Sequence, residues 1–231
     1  MSNRIERWKI GFGCAVIALV LVIAALLLPW YFYEENGTFS GSYLGYSYSG
    51  DFYKKQEFSL QSYKATVDIQ SSYYNDRSTK VIDYAEIEDQ QPNIVQTWTA
   101  TFIFMILALI AGIISVIAIP FIAFRKISDD WNLAIIILAF LLIFIPILFA
   151  VAYPWALSED SPTSGFENVE VTNPEGSSYV WGSCDVSYTS SGMNYKGHAS
   201  WHNTWGWILT LTAFPFAVAA YYYTKPQPCD I

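Results

Sequence analysis

The chain has 231 residues, of which 53% are apolar, 18% aromatic and only 14% charged, against roughly 25% charged residues in an ordinary soluble domain. Its 20 acids and 12 bases leave a net charge of -8, which argues against a nucleic-acid binder, since such proteins need a basic face. So much apolar surface with so little charge rules out a disordered chain and points to a membrane protein.

Four segments are long enough to cross a bilayer core of about 30 Å, which takes about 20 apolar residues at helical rise. They run from Ile10 to Tyr33, Ile94 to Phe124, Trp131 to Trp155 and Trp205 to Tyr223, and none contains Asp, Glu, Lys, Arg or His. Arg4, Arg7 and Lys9 ahead of the first run resemble the basic start of a signal peptide. The run is longer than a usual signal core, however, and passes into Pro29-Trp30-Tyr31-Phe32-Tyr33 rather than an A-x-A cleavage site, so it reads as a retained anchor. Basic residues in the short flanks set the orientation. Arg4, Arg7 and Lys9 lie in 1–9, Arg125 and Lys126 in the tight turn 125–130, and Lys225 in 224–231. Both termini are therefore expected in the cytoplasm of an integral, multi-pass cell-membrane protein.

Two segments then lie outside, 34–93 and 156–204, with 16 acids against 6 bases. In the first, Phe39, Tyr43, Tyr46 and Tyr48 alternate with serine and glycine, as on a pleated strand with one covered face. Tyr63, Ala65, Val67 and Ile69 alternate with Lys64, Thr66, Asp68 and Gln70, and a return strand runs through Val81 to Ile87. Asn75-Asp76-Arg77-Ser78 reads as the turn of that hairpin. In the second segment Ser177–Tyr188 is the best strand, bounded by Asn173-Pro174-Glu175-Gly176 and Ser190-Ser191-Gly192. A lone hairpin is marginal in water, so this strand is expected to join the first segment's sheet. The fold class expected is membrane α-helical, a four-helix bundle with an extracytoplasmic antiparallel β-sheet domain built from both outer loops. Small residues give a packing seam, Gly11, Ala15 and Ala18 on the first helix against Ala108, Gly112 and Ser115 on the second.

This arrangement resembles the claudin type of tetraspan protein, with four helices, a larger β-rich first loop, a smaller second loop and an aromatic residue, Trp30, just past the first helix. The first loop lacks the G-L-W-x-x-C-x-x-C signature of claudins and holds no cysteine, and the second lacks the C-C-G set of tetraspanins. The likeness is one of topology and carries no residue roles.

Among chemistries, His198-Ala199-Ser200-Trp201-His202 places two histidines at i and i+4, the spacing of paired metal ligands on one helix face. The Glu of H-E-x-x-H is replaced by Ala199, which excludes that protease. With Cys184 and Met193, these histidines form a set that copper or zinc would accept; the alternative is a pair of interfacial histidines beside Trp201 and Trp205. Cys14 and Cys229 lie on other levels of the chain, so Cys184 has no intramolecular disulfide partner outside. Asn36-Gly37-Thr38 is an N-glycosylation sequon close to the first helix. The acids Asp83, Glu86, Glu88 and Asp89 lack the spacing of a calcium loop. No ionisable residue lies within a span, which argues against a pump or coupled carrier, and no serine is accompanied by the G-x-S-x-G of a hydrolase.

The expected function is therefore contact without catalysis, as accessory subunit of a membrane complex or as an adhesion or envelope-organising protein. Its partners are the lipid bilayer and another membrane protein or itself, with no nucleic acid and no obligatory cofactor. The alternatives are an oligomeric cation pore with an acidic vestibule and an extracytoplasmic copper- or zinc-binding protein.

Overall fold

The computed structural model describes residues 2–43, 46–71, 73–89, 91–124, 133–160, 169–178, 181–190 and 193–225. Its elements in chain order are α1 (Ser2–Leu27), β1 (Tyr31–Tyr43), β2 (Tyr46–Phe58), β3 (Ser62–Ser71), β4 (Asn75–Asp83), α2 (Pro92–Ala123), α3 (Leu133–Asp160), β5 (Val169–Ser178), β6 (Trp181–Ser190), β7 (Met193–Asn203) and α4 (Trp205–Thr224). A single 3-10 turn, Tyr84–Glu86, separates β4 from α2. The chain divides into two compact units, one of residues 1–28, 99–149 and 205–231, the other of residues 29–98 and 150–204.

The first unit is helical. Glu6–Leu27 and Pro92–Ile122 are long and apolar enough to cross a membrane, and Leu133–Phe149 is a shorter apolar stretch. α1 stops at Leu27, short of the expected Tyr33, because Pro29 removes a backbone donor and the aromatic run after it enters β1. Ala15, Ala18, Val22 and Ala25 of α1 and Thr210, Ala213, Ala217 and Ala220 of α4 are buried, and both sets step by three and four residues, the period of a supercoiled seam. The helices run antiparallel: a Cβ on Gly11 would stand 2.8 Å from Thr224 Cγ2 and 3.3 Å from the Ala220 carbonyl. Arg7 donates to the Tyr222 carbonyl at 3.2 Å. The small stripe of α1 thus meets α4 closely, Ala15 also clusters with Ile119 of α2 and Ile135 of α3, and Gly112 of α2 gives room to Leu19 of α1 and Leu138 of α3. Thr210 and Ser115, both buried, donate back to the carbonyls of Gly206 and Ala111, which lets a hydroxyl sit in an apolar interior.

The second unit is built on one antiparallel sheet of order β4-β3-β2-β1-β7-β6-β5. Both segments between helices contribute to it, as the marginal stability of isolated hairpins requires. Two expected turns lie elsewhere. Asn75-Asp76-Arg77-Ser78 opens β4 instead of turning; the reversal precedes it and is held by Ser71, whose Oγ accepts from the Tyr74 amide at 2.9 Å and donates to its carbonyl at 2.8 Å. The stretch 177–188 is not one strand but the end of β5 and most of β6. Asn173-Pro174-Glu175-Gly176 lies inside β5, where the pairing with β6 shifts register twice, as a proline without a ladder donor allows.

At the foot of the sheet an aromatic core forms. Trp98 lies parallel to Phe58 (ring centroids 6.0 Å, planes 4° apart) and to Tyr84 (5.8 Å, 14°), and Tyr63 stacks on Phe58 at 5.2 Å. The Tyr84 hydroxyl donates to the Ser59 carbonyl at 2.7 Å, so the ring is buried without stranding its polar tip. Trp30, Tyr31, Leu60, Ile94 and Val95 are buried with them. Trp98→Ala is expected to cost this unit about 3–5 kcal/mol and Trp98→Phe distinctly less, read from denaturant unfolding followed by near-ultraviolet circular dichroism. A loss below about 1 kcal/mol for the alanine variant would show that the stack is not the core.

Candidate functional site

Side chains alternate between the two faces of the sheet, and the register sorts them by chemistry. One face carries a row that runs Asp185, His198, Asn36, Tyr53, Asp68 and Arg77 from β6 to β4. The next row toward the foot holds Ser183, Ser200, Glu34, Lys55, Thr66 and Thr79. Glu34 stands opposite Lys55, Glu57 opposite Lys64, Asp68 opposite Arg77 and Asp185 opposite His198, so charges across neighbouring strands favour this register over a slipped one. Lys55 also bonds Glu57 at 2.7 Å and lies 4.7 Å from the Phe32 ring centre. The hydrogen bond to Glu57 holds its ammonium above the ordinary lysine pKa, with burial opposing.

The other face is apolar and aromatic. Phe52 of β2 meets Tyr195 of β7 edge-on at 5.8 Å, across β1. Gly37 and Gly197, which face each other, make this possible: the Tyr195 hydroxyl occupies the space that a side chain on Gly197 would take, and stands 2.9 Å from a Cβ placed on Gly37. Tyr33 donates to Glu35 at 3.0 Å, and its phenol is pushed above the ordinary tyrosine range, chiefly by burial and then by the Glu35 carboxylate.

The four residues expected as metal ligands do not converge. Residues 193–203 form β7, not a helix, so His198 and His202 share a face but stand about 13 Å apart at strand rise. Gly197, Tyr195 and Trp201 alternate with them, and the sheet period of two overrides the helical spacing that suggested a pair. His198 Nδ1 lies 3.0 Å from Asp185 Oδ1, and His202 packs edge-on against Phe32 at 5.5 Å. Cys184 is in register with Ala199 and so belongs to the opposite, apolar face, as does Met193. Among the described residues no three His, Cys, Asp or Glu side chains come together to hold a metal ion. Of the acids weighed for calcium, Glu86 is engaged with Lys80 at 3.3 Å. Asn36 and Thr38 of the sequon are both exposed on the polar face, well inside β1 rather than at its start.

The polar face ends in a feature that sequence reading did not single out. Beyond Thr38 an open groove of about 390 Å³ is lined by Ser40, Gly41, Ser42, Ser47, Tyr48, Ser49 and Asn194. Ser40 faces Ser49 and Asn194, and Ser42 faces Ser47. The Thr189 hydroxyl donates to Asn194 Oδ1 at 2.9 Å. The available signal was the absence of charge from Asn36 through Gly50 in a segment otherwise rich in acids.

No family model matches the chain, and no curated protein matches it significantly.

The His198–Asp185 pair is half exposed on both sides, so His198→Ala should change stability by no more than about 1 kcal/mol, and zinc or copper should leave the melting temperature of either protein unmoved. A metal-dependent rise lost in the variant would contradict the separated geometry. Cys184, 8% exposed, has its thiol pushed up by burial first and then by Asp185 and Glu35. The fold therefore favours the protonated form. That contribution is complete below the ordinary thiol pKa of about 8.5 and is lost as pH rises through the higher folded value. With Cys14 and Cys229 replaced by serine, iodoacetamide should label Cys184 slowly at pH 7.5 and ever faster above pH 9, since the thiolate is the nucleophile. A rate that levels off near pH 8.5 would show the thiol to be unshifted.

Proposed function

We propose that the protein is a four-helix integral membrane protein that holds its sheet outside the cell and acts there by contact, not catalysis. The observation that carries this reading is the placement of large apolar side chains on the outward surface of the helical unit. Val20 and Leu27 of α1, Ile103 and Ile117 of α2, Ile136 and Phe140 of α3, and Ile208 and Val218 of α4 are exposed, Leu27 to 78% and Phe140 to 60%, while alanine and threonine fill the α1–α4 seam. A helix in water buries its large apolar residues and turns charges outward. Here large apolar side chains face outward on all four helices, α2 and α3 burying others such as Met105, Ile119, Leu138 and Leu142 as well, and no Asp, Glu, Lys, Arg or His lies between Ile10 and Leu27, in Pro92–Ala123, in 133–158 or in Trp205–Thr224. A patch of that extent is stable only against lipid or other protein.

Arg4, Arg7, Lys9, Arg125, Lys126 and Lys225 then set both termini inside, which leaves residues 34–93 and 156–204 outside. The reading of an accessory subunit or an adhesion or envelope-organising protein draws support from how the chain is distributed. Among the described residues the strands all belong to one sheet, and the segment between the second and third helices, 125–130, is short. The partners are the bilayer and another membrane protein or a second copy, and Asn36 is open to glycosylation on the outer side.

The topology is tested in a chain with its three cysteines replaced. A cysteine at Thr38 should react with a membrane-impermeant maleimide on intact cells, whereas Cys229, restored alone, should react only after permeabilisation. The protein should also stay in the membrane pellet through alkaline carbonate. Labelling of Cys229 from outside, or release by carbonate, would overturn the reading.

A further inference from the structure

We propose that the groove at the far end of β1 and β2 is a binding site for neutral sugar units of a glycan. Its lining supplies four serine hydroxyls, one carboxamide and the backbone of Gly41 and Tyr48, the Tyr48 ring packing against Phe39 on the opposite face. No lining side chain is charged, so an anion finds no cation and a metal or amine finds no carboxylate. Nor does the lining offer the aliphatic wall that an apolar ligand needs. What remains is a ligand whose groups are themselves both donors and acceptors, as sugar hydroxyls are.

Further features fit that ligand. The volume of about 390 Å³ lies within the range of small-molecule sites, about 300–1,000 Å³. Asn194 is oriented, because its Oδ1 accepts from Thr189 and its NH2 is thereby left as the donating end. The rows Ser40–Ser49–Asn194 and Ser42–Ser47 set hydroxyls at the spacing of neighbouring strands, so successive units of a chain would meet repeated donors and acceptors. An open groove of this kind holds a single sugar with a Kd on the order of millimolar and gains strength from several units or several copies.

This deepens the contact reading above and rests on it for its setting outside the cell. The test uses the full chain in lipid nanodiscs, free of sugar-based detergents, and saturation-transfer NMR. The probes are methyl α-mannoside, methyl β-glucoside, methyl β-galactoside and N-acetylglucosamine, with N-acetylneuraminate and glucosamine as charged counterparts. Transfer to at least one neutral sugar is expected, stronger than to either charged probe. Ser47→Trp, which fills the groove, should abolish it, Asn194→Leu should weaken binding about fivefold, and Ser47→Thr should keep it. Slow alkylation of Cys184 reports that each variant is folded; should Ser47→Trp fail that control, Ser40→Ala with Ser42→Ala takes its place. Absence of transfer to every neutral sugar, equal transfer to the charged probes, or binding untouched by a folded groove variant would each overturn the proposal. None of these outcomes touches the membrane topology, which maleimide labelling reads separately.

Discussion

The pairing of β1 with β7 is the joint on which the sheet depends. It brings Tyr31 opposite Asn203 and Gly41 opposite Met193, joining segments that lie at opposite ends of the chain. Without it β1–β4 and β5–β7 would be two small sheets, each with one more raw edge of unpaired backbone groups. The pairing is closed at its foot by Thr204, whose amide donates to the Trp30 carbonyl at 3.0 Å and whose hydroxyl donates to the Pro29 carbonyl. In its middle Gly37 and Gly197 face each other so closely that a Cβ on Gly37 would stand 2.6 Å from Gly197 Cα. In the helical unit the flanking segments pair again, as α1 and α4, and again small residues permit the approach. The first and last parts of the chain are thus matched twice, by hydrogen bonds in one unit and by van der Waals packing in the other.

Much of this was legible in the residues. Long uncharged runs marked the helices, and the alternation of Tyr63, Ala65, Val67 and Ile69 with polar residues marked β3, because a period of two leaves few other readings. Joining both segments into one sheet followed from the instability of isolated hairpins. What failed were the places where two periods fit the same letters. Residues 198 to 202 satisfy i, i+4 on a helix and also same-face alternation on a strand, and only pairing with β1 and β6 decides between them. Asn75 to Ser78 has turn composition, yet the Ser71 side chain completes the reversal earlier. The seam of α1 was visible as a stripe of small residues, but its partner was not, since α2 and α4 both carry such stripes and length alone cannot choose between them.

The division of the sheet into two faces separates the expected metal set and assembles the groove. Ligand types were gathered by closeness in sequence, whereas register sends Cys184 and Met193 to one face and both histidines to the other. The groove is the reverse case. Its seven lining residues come from β1, β2 and β7, and each alone is an ordinary serine, glycine, tyrosine or asparagine. Their meaning lies in being neighbours across strands, which no local pattern reports.

Charge is distributed in the same way. The acids of the polar face are largely met by bases across the strands, while Glu88, Asp89, Glu159, Asp160, Glu170 and Glu175 belong to stretches with no base of their own. The domain's excess of acid therefore lies outside the central strands. The far end of β1 and β2 carries no charge at all between Asn36 and Gly50. An acidic molecule repels another acidic surface within a Debye length of about 8 Å, and a charge brought into contact must first lose its water. An uncharged end rich in tyrosine, serine, glycine and asparagine avoids both costs, since its hydroxyls and amides can exchange water for a partner's groups one for one. That is where this domain can be approached closely at the least electrostatic expense, and it coincides with the end of the sheet where the groove opens.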